Sequence, residues 1–95
     1  MRSIIFDNES SAWTNKPNYN EMFIRYEENY LNELFQYRKR HYGEGYIMMN
    51  EIRDIFGLKV KNADNEILRF NNDNFVSLNW QKVKDTEILI EINHD

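Results

Sequence analysis

The side chains that could carry chemistry are, first of all, carboxylates placed near one another along the chain. Glu51 and Asp54 are three residues apart, so on a helix they share a face, where they could hold a divalent cation or divide acid and base roles. Acidic residues are also favoured in the first turn of any helix, because they meet the positive end of its dipole. The structural explanation is the stronger one, and we expect neither carboxylate to be catalytic.

Metal ligation and nucleophilic catalysis have little support among the remaining side chains. The histidines of the chain are His41 and His94, and neither has a second ligand at a recognised spacing. Cysteine is absent, which excludes thiolate zinc sites, iron–sulfur clusters, disulfides and cysteine nucleophiles. No serine lies in a nucleophile-elbow context. We therefore expect a protein that has no cofactor and no metal and that is not an enzyme.

A basic segment at residues 38–41, with the sequence Arg-Lys-Arg-His, is the strongest indication of nucleic-acid binding. Its cations could meet phosphates while the flanking Tyr37 and Tyr42 stack on bases. Basic residues also complement the negative end of a helix, and the chain as a whole carries a net charge of −4. Nucleic-acid binding or regulation is therefore the alternative function rather than the first.

Aromatic side chains are abundant, at 15% of the residues, and they can serve either a small core or an interface. Trp, Tyr and Arg are the residue types that most often dominate the energy of protein–protein interfaces. Protein binding is therefore the first functional hypothesis. Its predicted contact residues are Trp13, Tyr37, Arg38, Arg40, Tyr42 and Trp80.

Length and composition limit the class of protein further. A chain of 95 residues favours a single domain over residues 1–95. The lack of cysteine favours an intracellular protein, and no apolar run approaches the ~18–20 residues of a membrane span. Residues 1–7 are too short and too quickly acidic for a signal peptide. These features predict a soluble, cytoplasmic protein.

Hydrophobic spacing predicts a long amphipathic helix over residues 19–41, followed by glycines that end it. A shorter helix is expected over residues 51–56, with Asn50 as its N-cap and Gly57 in the left-handed conformation after its end. The buried stripe expected for the long helix comprises Phe23, Tyr26, Tyr30, Leu34, Tyr37 and His41.

Short apolar runs predict strands, of which the one over residues 87–93 is the clearest, since isoleucine alternates there with mostly polar residues. The last three strands follow one another through short polar links, which favours an antiparallel meander with a turn at residues 81–85. The predicted fold class is α+β, with one long amphipathic helix and a short second helix packed on a small antiparallel sheet of three to four strands. The predicted strands span residues 2–6, 66–70, 75–80 and 87–93.

A sequence pattern runs from Tyr30-Leu31-Asn32-Glu33 through the segment 45–58, which contains Gly-Tyr, Asn-Glu, Asp and Gly-Leu in that order, to an apolar strand at residues 88–93. This pattern, YLN…GY…NE…D…GL, resembles that of a family of small phage and prophage accessory proteins of unassigned function. The resemblance covers about two thirds of the chain, and the connection at residues 38–42 is longer here than in the family pattern. It implies no catalytic residues, and it implies an origin in a mobile genetic element of a bacterium.

These features favour a small accessory protein that acts by binding a host or phage protein, for example as an inhibitor of a bacterial defence system such as CRISPR. The alternative is a nucleic-acid-binding or regulatory module that uses residues 38–41. A homodimer is a further hypothesis, because a strand at residues 87–93 that lay at a sheet edge would offer unpaired backbone groups to a second copy. The expected location is the cytoplasm of the bacterial host cell.

Overall fold

The computed structural model describes residues 2–7, 21–62, 65–70 and 76–93. Within these ranges two helices pack on a three-stranded antiparallel sheet, and two further short strands form a separate ladder. The predicted α+β fold class is confirmed. In chain order the elements are β1 (Arg2–Asp7), α1 (Glu21–Tyr42), β2 (Ile47–Met48), α2 (Met49–Ile55), β3 (Ile67–Leu68), β4 (Ser77–Lys84) and β5 (Glu87–Asn93).

Strand β5 lies at the centre of the three-stranded sheet and pairs antiparallel with β1 on one side and β4 on the other. Its alternation is confirmed: Ile88, Ile90 and Ile92 are buried, and the residues between them face the other side of the sheet. Because both edges of β5 are already paired, the hypothesis that this strand lies at a sheet edge and recruits a second copy is wrong.

The predicted meander of three consecutive strands is also wrong. Strand β3 pairs with β2 instead of β4, and the hairpin consists of β4 and β5 alone. Strand β4 continues through residues 81–84, where the sequence predicted a turn, and the chain turns at Asp85 and Thr86 instead. Residues 81–84 are all exposed, so their polar character reflects the outer end of a strand rather than a loop.

Helix α1 spans Glu21–Tyr42, close to the predicted range, but the prediction of its buried face is wrong. The structure buries Ile24, Leu31 and Phe35. Of the stripe expected to face the core, the three tyrosines and the histidine are exposed, and the phenylalanine and leucine are only partly buried. Neither described helix is long and apolar enough to cross a membrane.

Charged side chains interrupt the inward face of α1, which made that face hard to recognise. Glu28 and Arg38 continue the spacing of Ile24, Leu31 and Phe35, at steps of four, three, four and three residues, and both are partly buried. The row of tyrosines has the same period without a charged interruption. Spacing alone therefore favoured the wrong face.

Polar side chains of α1 hydrogen-bond the backbone at the beginning of β4. Glu28 accepts a hydrogen bond from the N–H of Leu78 (2.8 Å), and Arg25 donates one to the Leu78 carbonyl oxygen (3.2 Å). The Asn32 amide binds both backbone groups of Val76: Nδ2 donates to the carbonyl (2.9 Å), and Oδ1 accepts from the N–H. Helix α1 thus supplies the hydrogen bonds that a neighbouring strand would give to this part of the sheet edge.

Helix α2 spans Met49–Ile55, and the prediction of Asn50 as its N-cap is wrong. Met48 occupies the N-cap position, and its N–H donates to the Glu51 carboxylate at 2.9 Å. Asn50 instead holds the loop after α2, since its side chain donates to the carbonyl of Lys61 (2.8 Å) and accepts from the N–H of Lys61 (3.0 Å). Asparagine is a common N-cap residue, and nothing local in the sequence indicated a partner eleven residues further along.

The predicted end of α2 is confirmed. Gly57 has a positive φ of 71°, a conformation that glycine adopts at little cost because it has no Cβ. The N–H of Gly57 donates to the carbonyl of Asp54, and that of Leu58 donates to the carbonyl of Arg53, both at 2.9 Å. These two bonds form a Schellman motif, which satisfies the last carbonyls of the helix.

Phenylalanine and branched aliphatic side chains form the core. Phe6, Phe23 and Phe56 contact one another with ring centroids 5.5, 5.8 and 5.9 Å apart. Phe35 of α1 packs directly on the backbone of Gly45, where a Cβ would lie 2.4 Å from the end of its ring. Gly45 therefore allows the close approach between the chain after α1 and the core-facing side of that helix.

Replacing Asn32 by leucine removes both hydrogen bonds to Val76 and leaves the N–H and carbonyl of this buried residue without partners. We expect the free energy of unfolding, measured by urea denaturation, to fall by about 1–3 kcal/mol. Asn29 is an exposed residue of the same helix and provides the matched control. N29L should change the stability by less than about 0.5 kcal/mol, and equal effects of the two substitutions would contradict the role given to Asn32.

Candidate protein-binding surface

The outer face of α1 carries a row of exposed side chains that are largely apolar. Tyr26 is 70% exposed, Tyr30 49% and Tyr37 47%, and Met22 in the first turn is 79% exposed. These residues recur at helical spacing on the side of α1 turned away from its buried face. We refer to Met22, Tyr26, Tyr30 and Tyr37 as the tyrosine face.

Tyrosine is suited to this position because its hydroxyl is hydrated while its ring presents a large apolar area. The ring of Tyr37 lies against the imidazole of His41 one turn later, with the centroids 4.2 Å apart. Tyrosine has few rotatable bonds, so little conformational entropy is lost when it is covered by a partner. Exposed rows of this kind are typical of protein–protein interfaces.

Two depressions border the tyrosine face. The outer groove has a volume of about 600 Å³ and runs along α1, and the α1–α2 cleft, of about 300 Å³, lies between the two helices. Tyr30 and Leu34 line both, so the depressions and the tyrosine face form one continuous surface. The described residues that line the outer groove are Tyr30, Asn32, Glu33, Leu34, Gln36, Tyr37 and Arg40. Those that line the cleft are Tyr30, Leu34, Met48, Asn50, Glu51, Asp54, Ile55, Val60 and Asn65.

A bidentate ion pair joins the end of α1 to the start of α2. The terminal guanidinium nitrogens of Arg38 donate to the two carboxylate oxygens of Glu51 at 2.7 and 2.6 Å. Arg38 also donates to the carbonyl of Tyr46 (3.1 Å), and its guanidinium lies 4.4 Å from the centroid of the Tyr46 ring. Only 15% of the Arg38 side chain is exposed, so this residue is engaged within the fold.

Both oxygens of the Glu51 carboxylate are engaged by these contacts. It accepts two hydrogen bonds from Arg38 and a third from the N–H of Met48. Burial by itself raises the pKa of Glu51, but the hydrogen bonds and the charge of Arg38 outweigh burial and hold that pKa below its ordinary value of 4.5. The hydrogen bond to Glu51 in turn raises the pKa of Arg38. Glu51 therefore stays ionised, and its oxygens join two helices.

The second carboxylate of the pair considered in the sequence, Asp54, is exposed on α2. It lines the same cleft as Glu51, but it shares none of the hydrogen bonds that Arg38 makes. Among the described residues, no group of three or more His, Asp or Glu side chains is placed to hold a metal ion. His94 lies outside the described residues.

The structure brings together only some of the predicted contact residues. Tyr37 and Arg40 line the outer groove, and Tyr42, at the end of α1, is 66% exposed. Arg38 lies in the same stretch of sequence but points into the fold, where its charge is neutralised by Glu51. The basic segment therefore presents three exposed side chains, those of residues 39–41, rather than four.

The two tryptophans lie away from the tyrosine face or outside the described part of the chain. Trp80 belongs to β4, is partly buried and packs against the core. Trp13 lies outside the described residues. Tyr26 and Tyr30 were not predicted to be surface residues, because their spacing places them in the stripe expected to be buried. One signal in the sequence could have corrected this assignment: Ile24, Leu31 and Phe35 form a second row with the same helical spacing.

Comparisons with known proteins find nothing similar to this chain. No protein-family model matches the sequence, and no curated protein or solved structure matches it. The interpretation of the surface therefore depends on the side chains themselves, through their exposure, their spacing and their partners.

Replacing Glu51 by glutamine removes the charge that neutralises Arg38 and weakens the bidentate contact. Because both side chains retain some contact with solvent, we expect the free energy of unfolding at neutral pH to fall by about 1–2 kcal/mol. Asp54→Asn, an exposed carboxylate-to-amide change on the same helix, is the matched control and should cost less than about 0.5 kcal/mol. Urea denaturation measures both, and a stability of E51Q equal to that of D54N would refute the structural role of the pair.

The destabilisation caused by E51Q should depend on pH. The pKa of Glu51 is lower in the folded protein than in the unfolded chain, where it is near 4.5. The stabilisation is therefore fully present well above pH 4.5 and is lost as the pH falls through the lower folded-state pKa. The difference in unfolding free energy between wild type and E51Q should shrink between neutral pH and pH about 3.

Comparing the two proteins at each pH removes the contribution of Glu27, whose pKa is raised by burial and which therefore has the opposite pH dependence. A difference between wild type and E51Q that stays constant over this range would mean that Glu51 titrates alike in the folded and unfolded states.

Proposed function

We propose that this protein acts by binding another protein through the tyrosine face of α1, and that it is not an enzyme. One observation carries the proposal: three tyrosine rings, 47–70% exposed, stand in a row on a helix whose opposite side is buried. Aromatic side chains of this kind contribute strongly to interface energy when a partner covers them. The flanking Glu33 and Arg40 supply both signs of charge at the rim, where charges favour specificity over affinity.

The partner we propose is a host or phage protein. The resemblance of the sequence to phage and prophage accessory proteins favours a bacterial host, and a defence component such as a CRISPR effector is one target of this class. Blocking such a target requires only that a surface be covered, and a small rigid helix face is sufficient for that. The proposal accordingly requires no catalytic group.

Nucleic-acid binding remains the alternative, and the geometry favours it less. The segment at residues 38–41 loses Arg38 to the ion pair with Glu51, and the net charge of −4 opposes non-specific attraction to phosphates. The exposed remainder, residues 39–41, is a small footprint for a phosphate backbone.

The test is affinity capture from bacterial lysate with three forms of the protein, followed by mass spectrometry. The double variant Tyr26→Ala, Tyr37→Ala removes the first and the last tyrosine ring of the tyrosine face. Each change should affect the free energy of unfolding by less than about 0.5 kcal/mol, because both side chains are exposed. Val83→Ala on β4 is the matched control, since Val83 is also 47% exposed but lies on a different element.

We expect wild type and V83A to retain the same protein and the double tyrosine variant to lose it. With the purified partner, each tyrosine-to-alanine change should weaken binding about five- to thirtyfold, as measured by calorimetry. Retention of nucleic acid without protein, or of the same protein by all three forms, would refute the proposed use of the tyrosine face.

A further inference from the structure

The α1–α2 cleft combines apolar walls with negative charge. Its apolar lining includes Leu34 from α1, Ile55 from α2 and Val60 from the loop that follows. Two carboxylates, those of Glu51 and Asp54, also line it. No lysine, arginine or histidine is found among the described residues of the lining. The cation nearest to this lining in the described residues, the guanidinium of Arg38, is neutralised by its ion pair with Glu51.

The two carboxylates differ in what they can still bind. Arg38 takes both oxygens of Glu51 and neutralises its charge. Asp54 is exposed, and in the described part of the chain its carboxylate takes part in no ion pair. Asp54 thus places a carboxylate that no described ion pair neutralises beside an apolar depression, and Tyr30 is also part of the lining.

We propose that the α1–α2 cleft receives the side chain of a lysine or arginine of the protein partner. The inference rests on the proposed function, because Tyr30 and Leu34 join the cleft to the tyrosine face. The aliphatic stem of the incoming side chain packs along the apolar wall while its charged end meets Asp54. A volume of about 300 Å³ suits a single side chain rather than a helix.

Other occupants fit the cleft less well. An anion would be repelled by Asp54, and a purely apolar side chain would desolvate that carboxylate without pairing it. A divalent cation such as calcium takes about six to eight oxygen ligands, whereas both oxygens of Glu51 are already held by Arg38. The chemistry of the cleft therefore favours an organic cation with an aliphatic stem.

The experiment is an NMR titration of the isotope-labelled protein at low ionic strength with Nα-acetyl-lysine methylamide. Its matched control is Nα-acetyl-norleucine methylamide, which has an aliphatic side chain without the ammonium group. We expect the lysine compound to shift the methyl signals of Leu34, Ile55 and Val60 in a saturable way, and the norleucine compound to shift them much less. Asp54→Asn should weaken binding of the lysine compound about two- to fivefold. Asp85→Asn, the same change at the fully exposed hairpin turn, should leave it unchanged.

Equal shifts with both compounds, no shift with the lysine compound, or identical binding by wild type and D54N would each overturn the proposal. The result is independent of the capture experiment with the tyrosine variants. Failure of the titration with successful tyrosine-dependent capture rejects the cation site alone, and failure of that capture with saturable lysine binding rejects the tyrosine face alone.

Discussion

Hydrogen bonds from α1 to the backbone at the start of β4 determine which face of the helix meets the core. Val76 and Leu78 are buried, and a buried backbone group left without a partner costs about 1–3 kcal/mol. Glu28 and Asn32 reach these groups only in one rotation of α1 about its axis. At the other end of the helix, the bond between Arg38 and α2 requires the same rotation. Apolar burial alone would not select it, since two faces of α1 have the spacing of a buried stripe.

This rotation separates the aromatic side chains of α1 by their chemistry. Phe23 and Phe35 pack towards the core, whereas Tyr26, Tyr30 and Tyr37 are exposed to solvent. A tyrosine buried in this core would need a hydrogen-bond partner for its hydroxyl, and phenylalanine needs none. The outer face of α1 therefore exposes a large apolar area and is still compatible with water. Those are the two properties required of a surface that exists both free and bound to a partner.

Features that depend on neighbouring residues could be predicted from the sequence, and those that depend on distant partners could not. The alternation of β5 and the left-handed Gly57 are local, and both predictions are confirmed. Glu28 and Asn32 bind backbone groups 50 and 44 residues away, so no local pattern indicated that they face inward. The candidate surface was misjudged for the same reason. Its exposed tyrosines were assigned to the core, and the partner of Arg38 lies thirteen residues away.

The orientation of α1 is tested most directly by photochemically induced dynamic nuclear polarisation, an NMR measurement that polarises tyrosine, tryptophan and histidine rings only where a flavin dye can reach them from solvent. We expect strong polarisation of Tyr26, Tyr37 and Tyr42, which are 70%, 47% and 66% exposed. Tyr46, whose ring is covered by the guanidinium of Arg38, should be polarised only weakly. Silent rings at Tyr26 and Tyr37 would mean that α1 buries its tyrosines, and the protein would then have no tyrosine face with which to bind a partner.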